Sequence, residues 1–297
     1  MGLELLAPAK NADQGILALR CGADAVYMGG SRFGARQAVG CGTEAFERVA
    51  SEARLWGAKV FATLNTVVFD HELEAARRQA WELYEAGVDA FIVQDMAFLE
   101  LDLPPLPLHA STQAACDEPE KVAFLARAGF SRAILARELS LQDIRAVRAA
   151  TDLELEAFVF GALCVGESGR CYLSGSICGR SGNRGECAQP CRAPWSLVDA
   201  AGRVLVREQH LLSIRDLDLS DHLEALADAG VVSFKIEGRL KDADYVKNVV
   251  SHLRRKLDAL LARRPELGRA SLGTVRQGFE PDPRKTFNRG LSTYRLE

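Results

Sequence analysis

No apolar run in this 297-residue chain approaches the length of a membrane span. Its opening, MGLELLAPAKNADQG, lacks the basic n-region and long apolar core of a secretory leader. Both absences lead to the expectation of a cytoplasmic protein. The chain also lacks a surplus of one charge, with 37 Lys and Arg against 40 Asp and Glu, a net charge of −3. Bulk charge therefore does not make it a polyanion binder, although a local basic face is compatible with the same numbers. There is no H-E-x-x-H helix and no G-x-S-x-G elbow, so neither a simple zinc protease nor an α/β-hydrolase is indicated. A Cys–His nucleophile pair stays open. The C-x3-C-x2-C triplet is missing as well, and radical adenosylmethionine chemistry goes with it. What remains is a composition of 48% hydrophobic and 26% charged residues, that of a soluble globular protein. Its length suffices for one large α/β barrel or two smaller domains.

One phrase recurs along the chain: a helix ending in Gly, a small or acidic residue, then a short apolar strand. It appears at Cys21 (CGADAVYMGG), Trp56 (WGAKVFATLN), Ala86 (AGVDAFIVQD), Ala128 (AGFSRAILARE) and Ala229 (AGVVSFKIEG). Gly22, Gly57, Gly87, Gly129 and Gly230 stand where a left-handed helix C-cap is expected. The unalternating apolar runs behind them predict parallel strands buried on both faces. Amphipathic spacing predicts helices over Thr43–Trp56, Asp70–Ala86, Glu118–Ala128, Ser140–Ala150 and Asp221–Ala229. Three further strands at Leu3–Ala9, Pro107–Thr112 and Leu153–Ala162 bring the total to eight. The expected fold is α/β, a TIM-like (β/α)8 barrel, with an open doubly wound sheet as the alternative.

A barrel directs attention to the C-terminal ends of its strands. The polar residues expected there include Asn65, Asp95, His109, Ser111, Arg137, Glu138, Glu156, Lys235, Glu237 and Arg239. Each singly has a plainer reading. Asp95 and Ser140 suit helix N-caps, and a lone histidine is more often structural than catalytic. Their convergence on one end is the stronger signal.

After Phe160 the repeat breaks. Residues 161–195 hold five of the eight cysteines, are rich in Gly, Ser and Arg, and read as a long loop leaving strand seven. A structureless loop of this length is unusual unless it is functional, and a bound metal would explain its order. Cys164, Cys171, Cys187 and Cys191 are spaced C-x6-C, C-x15-C and C-x3-C; four thiolates suit zinc or a [4Fe–4S] cluster. Spacing alone does not choose between the two metals, and Cys178 is a fifth thiol in the same loop. Cys21 reads as a small buried apolar residue, with Cys41 and Cys116 left open. Arg170, Arg180, Arg184 and Arg192 suit phosphates or a dicarboxylate, or else simple solvated ion pairs. A hairpin is expected over residues 196–210, with its turn near Asp199–Gly202. Phe158, Phe160 and Tyr172 are candidate apolar walls of a site, core packing being the plainer role for the first two.

The run EAFVFGALCVGESGRCYLS (Glu156–Ser174), with NRGECAQPCR (Asn183–Arg192) and SFKIEGR (Ser233–Arg239), resembles the collagenase-like peptidase family. The resemblance extends from Leu5 to the FNRG run at Phe287. GGSRFGAR (Gly29–Arg36), VQDMAFLELDLPPLPLHASTQ (Val93–Gln113) and HLLSIRDLD (His210–Asp218) are most similar to its RNA-hydroxylating branch. That resemblance implies a [4Fe–4S] cluster on Cys164, Cys171, Cys187 and Cys191, with Cys178 dispensable. It implies C5-hydroxylation of a cytidine in 23S rRNA or its precursor, with prephenate as co-substrate. Catalytic candidates are Glu237, Glu156 and His109; substrate-binding candidates are Lys235, Arg239, Asn65 and Arg170. Hydroxylation of a tRNA uridine or a ubiquinone ring, proteolysis, and non-catalytic RNA binding are the competing readings. The expected barrel covers residues 1–262. Residues 263–297 are expected as a C-terminal extension opening a further region, since relatives of that branch continue past the FNRG block.

Overall fold

Short strands buried on both faces can satisfy their backbone groups only by pairing on both edges, and eight of them do so here by closing a ring. In the computed structural model, which describes residues 2–36 and 40–296, the strands are β1 (Gly2–Pro8), β2 (Ala25–Gly30), β3 (Lys59–Leu64), β4 (Ala90–Val93), β5 (Leu108–Ala110), β6 (Arg132–Ile134), β7 (Glu154–Gly161) and β8 (Val231–Ile236). Each pairs in parallel with the next. The last, β8, pairs in parallel with both β7 and β1, with Lys235 in register with Phe158 on one side and Leu6 on the other. The barrel is closed, and the open sheet is excluded.

The intervening helices are α1 (Ala12–Arg20), α2 (Thr43–Trp56), α3 (Leu73–Glu85), α4 (Pro119–Arg127), α5 (Leu141–Ala150), α6 (Leu173–Cys178), α7 (Leu223–Asp228) and α8 (Ala243–Arg263). The five glycines of the repeat all have positive φ, between 60° and 104°. At Gly22 a Cβ would also lie 2.6 Å from Arg254, so both conformation and space demand glycine there. Ser140 caps α5 in a capping box with Asp143. Asp95 caps a single 3-10 turn, Met96–Leu99, which stands where a full helix would otherwise join β4 to β5. The expected hairpin forms from the strands Trp195–Val198 and Val204–Gln209. Among the described residues no helix is long and apolar enough to cross a membrane.

Residues beyond α8 pack back against the barrel. Gly268–Arg269 pairs beside β1. The side chains of Arg269 and Ser271 each donate to the buried Asp24 carboxylate at 2.6 Å, and Arg254 of α8 donates to it at 2.9 Å. Leu291–Ser292 pairs with Asp216–Leu217, part of a short strand running antiparallel along β7. Leu296 is buried, and its carbonyl accepts from Leu141 at 2.9 Å. The buried Asp24 carboxylate, which also accepts from the Leu5 amide, takes two of its four donors from this segment and so ties it to the barrel.

Candidate active site at the barrel mouth

TIM barrels usually fill their interior with branched aliphatic layers. This one carries charge instead, in two layers. In the lower layer Arg132 of β6 donates to Glu4 at 2.6 Å, Glu154 at 2.7 Å and Glu156 at 2.9 Å. Ser233 bridges Glu4 and Glu156, and Lys235 closes the layer from above with a 2.8 Å bond to Glu156. His109 packs edge-on against Phe61 and, with Glu4 and Arg132, lines a cavity at the N-terminal end of the strands. Burial, Arg132 and Lys235 together push the His109 pKa down to about 3, Glu156 opposing them, so the ring is neutral. Burial works to raise the Glu156 pKa, but Lys235 and Arg132 outweigh it and hold the carboxyl at about 2.

Two expected site residues are therefore displaced from the mouth. His109 and Glu156 lie inside the barrel, in a network that already uses the Glu156 oxygens. Both side chains point into the barrel, but they enter it below its rim, because the stagger of neighbouring strands sets how deep a given strand position lies.

The upper layer is different in kind. Glu237, just past the end of β8, accepts from Arg137 at 2.9 Å and lies 3.9 Å from Arg36. Arg239 is 6% exposed, yet among the described residues its one side-chain hydrogen bond goes to the Thr63 hydroxyl at 2.8 Å. Among the described residues it has no carboxylate within ion-pairing distance, and its Nε has no hydrogen-bond partner; nor does the buried Nε of Arg137. Aromatic faces line the same space. Lys235 sits 4.4 Å from the Tyr27 ring centroid and Arg137 sits 4.0 Å from that of Phe158. Burial lowers the Arg239 pKa, as expected of a cation short of counter-charge. For Glu237, burial works upwards, but Arg36, Arg137, Arg239 and Lys235 prevail and hold the carboxyl below its ordinary range. It stands ionised as an orienting anion and is a weak proton acceptor. Asn65 is committed on both sides, accepting from Ala35 at 3.0 Å and donating to Ser111 at 3.0 Å, and so shapes the wall.

These groups enclose an inner cavity of about 130 Å³, which adjoins an outer groove of about 760 Å³. Arg36, Arg137, Glu237, Cys164 and Cys187 border both. The groove is lined by six basic residues (Arg36, Arg137, Arg180, Arg192, Lys241 and Arg289) against Glu186 and Glu237. A protein of net charge −3 thus concentrates positive charge at this one opening.

The cysteine-rich segment follows β7 over the mouth. Gly169 packs so tightly on Gln113 that a Cβ would lie 2.0 Å from its carbonyl oxygen, at a φ of 76°. Glu138 accepts from the Ser168 amide at 2.7 Å and its hydroxyl at 3.0 Å. Arg184 forks onto Glu72 with two 2.7 Å bonds, and Arg192 donates to Leu163, Ile214 and Ser213. Arg170 pairs with Asp117 at 3.0 Å and does not line the inner cavity. Of the four loop arginines, for which anion binding and simple ion pairs were both open, Arg184 and Arg192 staple the loop and Arg170 forms an ion pair. Arg36 and Arg137 hold the position that sequence reasoning had given to Arg170. Arg137 stood among the strand-end residues and was findable; nothing in the spacing marked Arg36.

Cys164, Cys171, Cys187 and Cys191 converge. A Cβ on Gly166 would lie 3.1 Å from the Cys171 sulfur and 3.8 Å from that of Cys164. The Cys191 thiol is pushed up by burial, drawn down by Arg192 and pushed up again by Cys164, Cys187 and Cys171, all near enough to act on it. The Gln189 amide donates to the Cys187 sulfur at 3.4 Å. Cys178 turns away, bonding back to the Ser174 carbonyl at 3.1 Å at the end of α6. Cys21, Cys41 and Cys116 are buried elsewhere. Among the described residues, no three His, Cys, Asp or Glu side chains close around a single metal ion. Four converging free thiols form an all-sulfur donor set of the kind that can take zinc or an iron–sulfur cluster.

A closed (β/α)8 barrel with thiols gathered over a cationic mouth defines the class of protein. The chain belongs to Peptidase family U32, whose sequence model matches residues 10–296. It is 51% identical, over 98% of its length, to the 23S rRNA 5-hydroxycytidine C2501 synthase of Escherichia coli K12, and spans 45% of that protein. It is 35% identical over 87% of its length to tRNA hydroxylation protein P1 of Bacillus subtilis 168, spanning 64% of it. The solved structure of the U32 peptidase Mk0906 superposes with a TM-score of 0.53 at 16% identity, covering 80% of this chain and 93% of that one. That likeness concerns the fold alone.

Proposed function

We propose that this protein hydroxylates C5 of a cytidine in 23S rRNA or its precursor, with a [4Fe–4S] cluster as cofactor and prephenate as co-substrate. The observation that carries the reading is the 51% identity to the E. coli 5-hydroxycytidine synthase across nearly the whole chain. The mouth supports it chemically. Cys164, Cys171, Cys187 and Cys191 would hold the cluster, which supplies one-electron redox chemistry when bound. The inner cavity, at about 130 Å³, is on the scale of a small organic group rather than a stretch of RNA. Arg239 and Arg137, with unused donors, suit the carboxylates of prephenate, and Tyr27 and Phe158 suit its ring. Glu237 orients Arg36 and Arg137 between the cavity and the groove. The outer groove would receive the RNA through its phosphates, with the target base turned out of its stack. An enzyme acting on ribosomal RNA would work in the cytoplasm.

The decisive test has two arms. Protein purified without air is analysed for iron and sulfide, in wild type and in single Cys→Ser variants. About four of each per chain is expected, with loss on changing Cys164, Cys171, Cys187 or Cys191 and retention in Cys178→Ser. Nucleoside mass spectrometry of 23S rRNA, from cells lacking the gene and from cells carrying it, should show 5-hydroxycytidine only in the latter. Zinc in place of iron, or hydroxylated uridine in tRNA with unmodified rRNA, would overturn the reading.

A further inference from the structure

At the lip of the outer groove a single aromatic ring is held out to solvent. Phe287 is 66% exposed. Its ring lies 4.6 Å from the Lys241 ammonium and 5.1 Å from the Arg289 guanidinium. The backbone around it is fixed. Lys241 donates to the Phe287 carbonyl at 2.7 Å, and Asn288 folds back to accept from Gly290 at 3.1 Å and donate to Thr286 at 2.8 Å. Leu291–Ser292 then joins the strand Asp216–Asp218.

A lone exposed aromatic is ordinary on a protein surface. Three features set this one apart. Its backbone is pinned on both sides, so the ring is presented at little entropic cost. Two cations flank it. It borders a groove whose lining carries six basic residues against two acidic ones and reaches Cys164, Cys187 and Cys191. An apolar protein partner would not need that surplus of cations, whereas single-stranded RNA needs both parts: a π-face for a base and cations for the phosphates beside it.

We propose that Phe287 is a stacking platform for a base neighbouring the target cytidine, with Lys241 and Arg289 holding the adjoining phosphates. This rests on the RNA-modifying reading and adds the element that places the strand in the groove. Arg289 also lies 3.4 Å from Asp216, so its charge is shared rather than wholly free for RNA.

The test uses the full chain and a 12-nucleotide single-stranded RNA with one cytidine beside a 2-aminopurine, whose fluorescence falls on stacking. Wild type and Phe287→Trp should quench the probe on binding. Phe287→Leu and Phe287→Ala should bind about tenfold more weakly and leave the probe bright, with melting temperatures unchanged. Equal affinity and quenching in wild type and Phe287→Ala overturn the assignment while leaving RNA modification intact; that is also the outcome if the ring seats another polypeptide. Absence of binding by wild type overturns the assignment and the parent reading together.

Discussion

Two layers of charge occupy the same barrel, one above the other, and they are built to opposite ends. Below, Arg132 and Lys235 meet Glu4, Glu154 and Glu156, and the Ser233 hydroxyl lies between Glu4 and Glu156. Above, Arg36 and Arg137 pair with Glu237, and among the described residues Arg239 has no carboxylate within ion-pairing distance. Burial is severe in both, since Arg132 and Arg239 are each 6% exposed. The difference lies in neutralisation. A buried cation whose carboxylates are in place contributes to the fold. One that lacks a carboxylate is tolerated when a ligand is to supply it.

The largest expected effect falls on the lower layer. Arg132→Met strands Glu4 and Glu156 in the barrel interior and should destabilise the protein by about 3–5 kcal/mol in urea unfolding. A loss below about 1 kcal/mol would mean that the layer is not held by charge at all. Next comes its pH response. Burial and the neighbouring Arg132 and Lys235 keep the folded His109 pKa at about 3, whereas the unfolded ring protonates near its ordinary value of about 6.5. The unfolded state therefore gains a proton that the folded state refuses. This stabilisation is complete above pH 6.5 and falls by up to about 1.4 kcal/mol per pH unit on acidification towards 3. Glu156 begins to contribute only below its ordinary range, but His252, also lowered by burial, and Glu4, raised by burial, act near the same window, so the share of His109 between pH 6 and 5 is read as the difference between wild type and variant. His109→Gln should flatten that slope; an unchanged slope would place the proton uptake elsewhere.

The smallest stability effect belongs to the upper layer and sharpens the contrast most. Arg239→Met should change unfolding stability by less than about 1 kcal/mol, because no carboxylate is left behind. Prephenate binding by titration calorimetry should weaken at least about tenfold, the scale of one lost charged hydrogen bond. A destabilisation matching that of Arg132→Met would erase the distinction between the layers.

The strands and their order were legible because each is a local pattern. The Gly-capped repeat marks five of them, and buried runs such as AVYMGG at Ala25–Gly30 need no distant information. The cysteine loop was legible as an interruption of that repeat, and the hairpin as two short runs about Asp199–Gly202. Lys235, Glu237 and Arg239 were found because they follow one strand to its end. His109 and Glu156 were misplaced because depth within a barrel depends on how neighbouring strands are staggered. Arg184 and Arg192 looked like anion ligands because nothing near them in sequence reveals Glu72 or the carbonyls of Leu163 and Ile214. Their separations of 112 residues from Glu72 and 22 from Ile214 put those partners beyond any local pattern.

The sequence by itself determined the eightfold βα order, the site of the cysteine segment and the end of the barrel at which its polar residues gather. Hydrophobic period, glycine conformation and chain connectivity act over a few residues and are written there. Only the tertiary structure decided which charges are answered. Arg132 meets Glu4 across 128 residues of chain, while among the described residues Arg239 hydrogen-bonds only to a hydroxyl 176 residues away. The energy of a buried charge depends on what closure of the barrel brings against it, and that closure is a property of the whole chain.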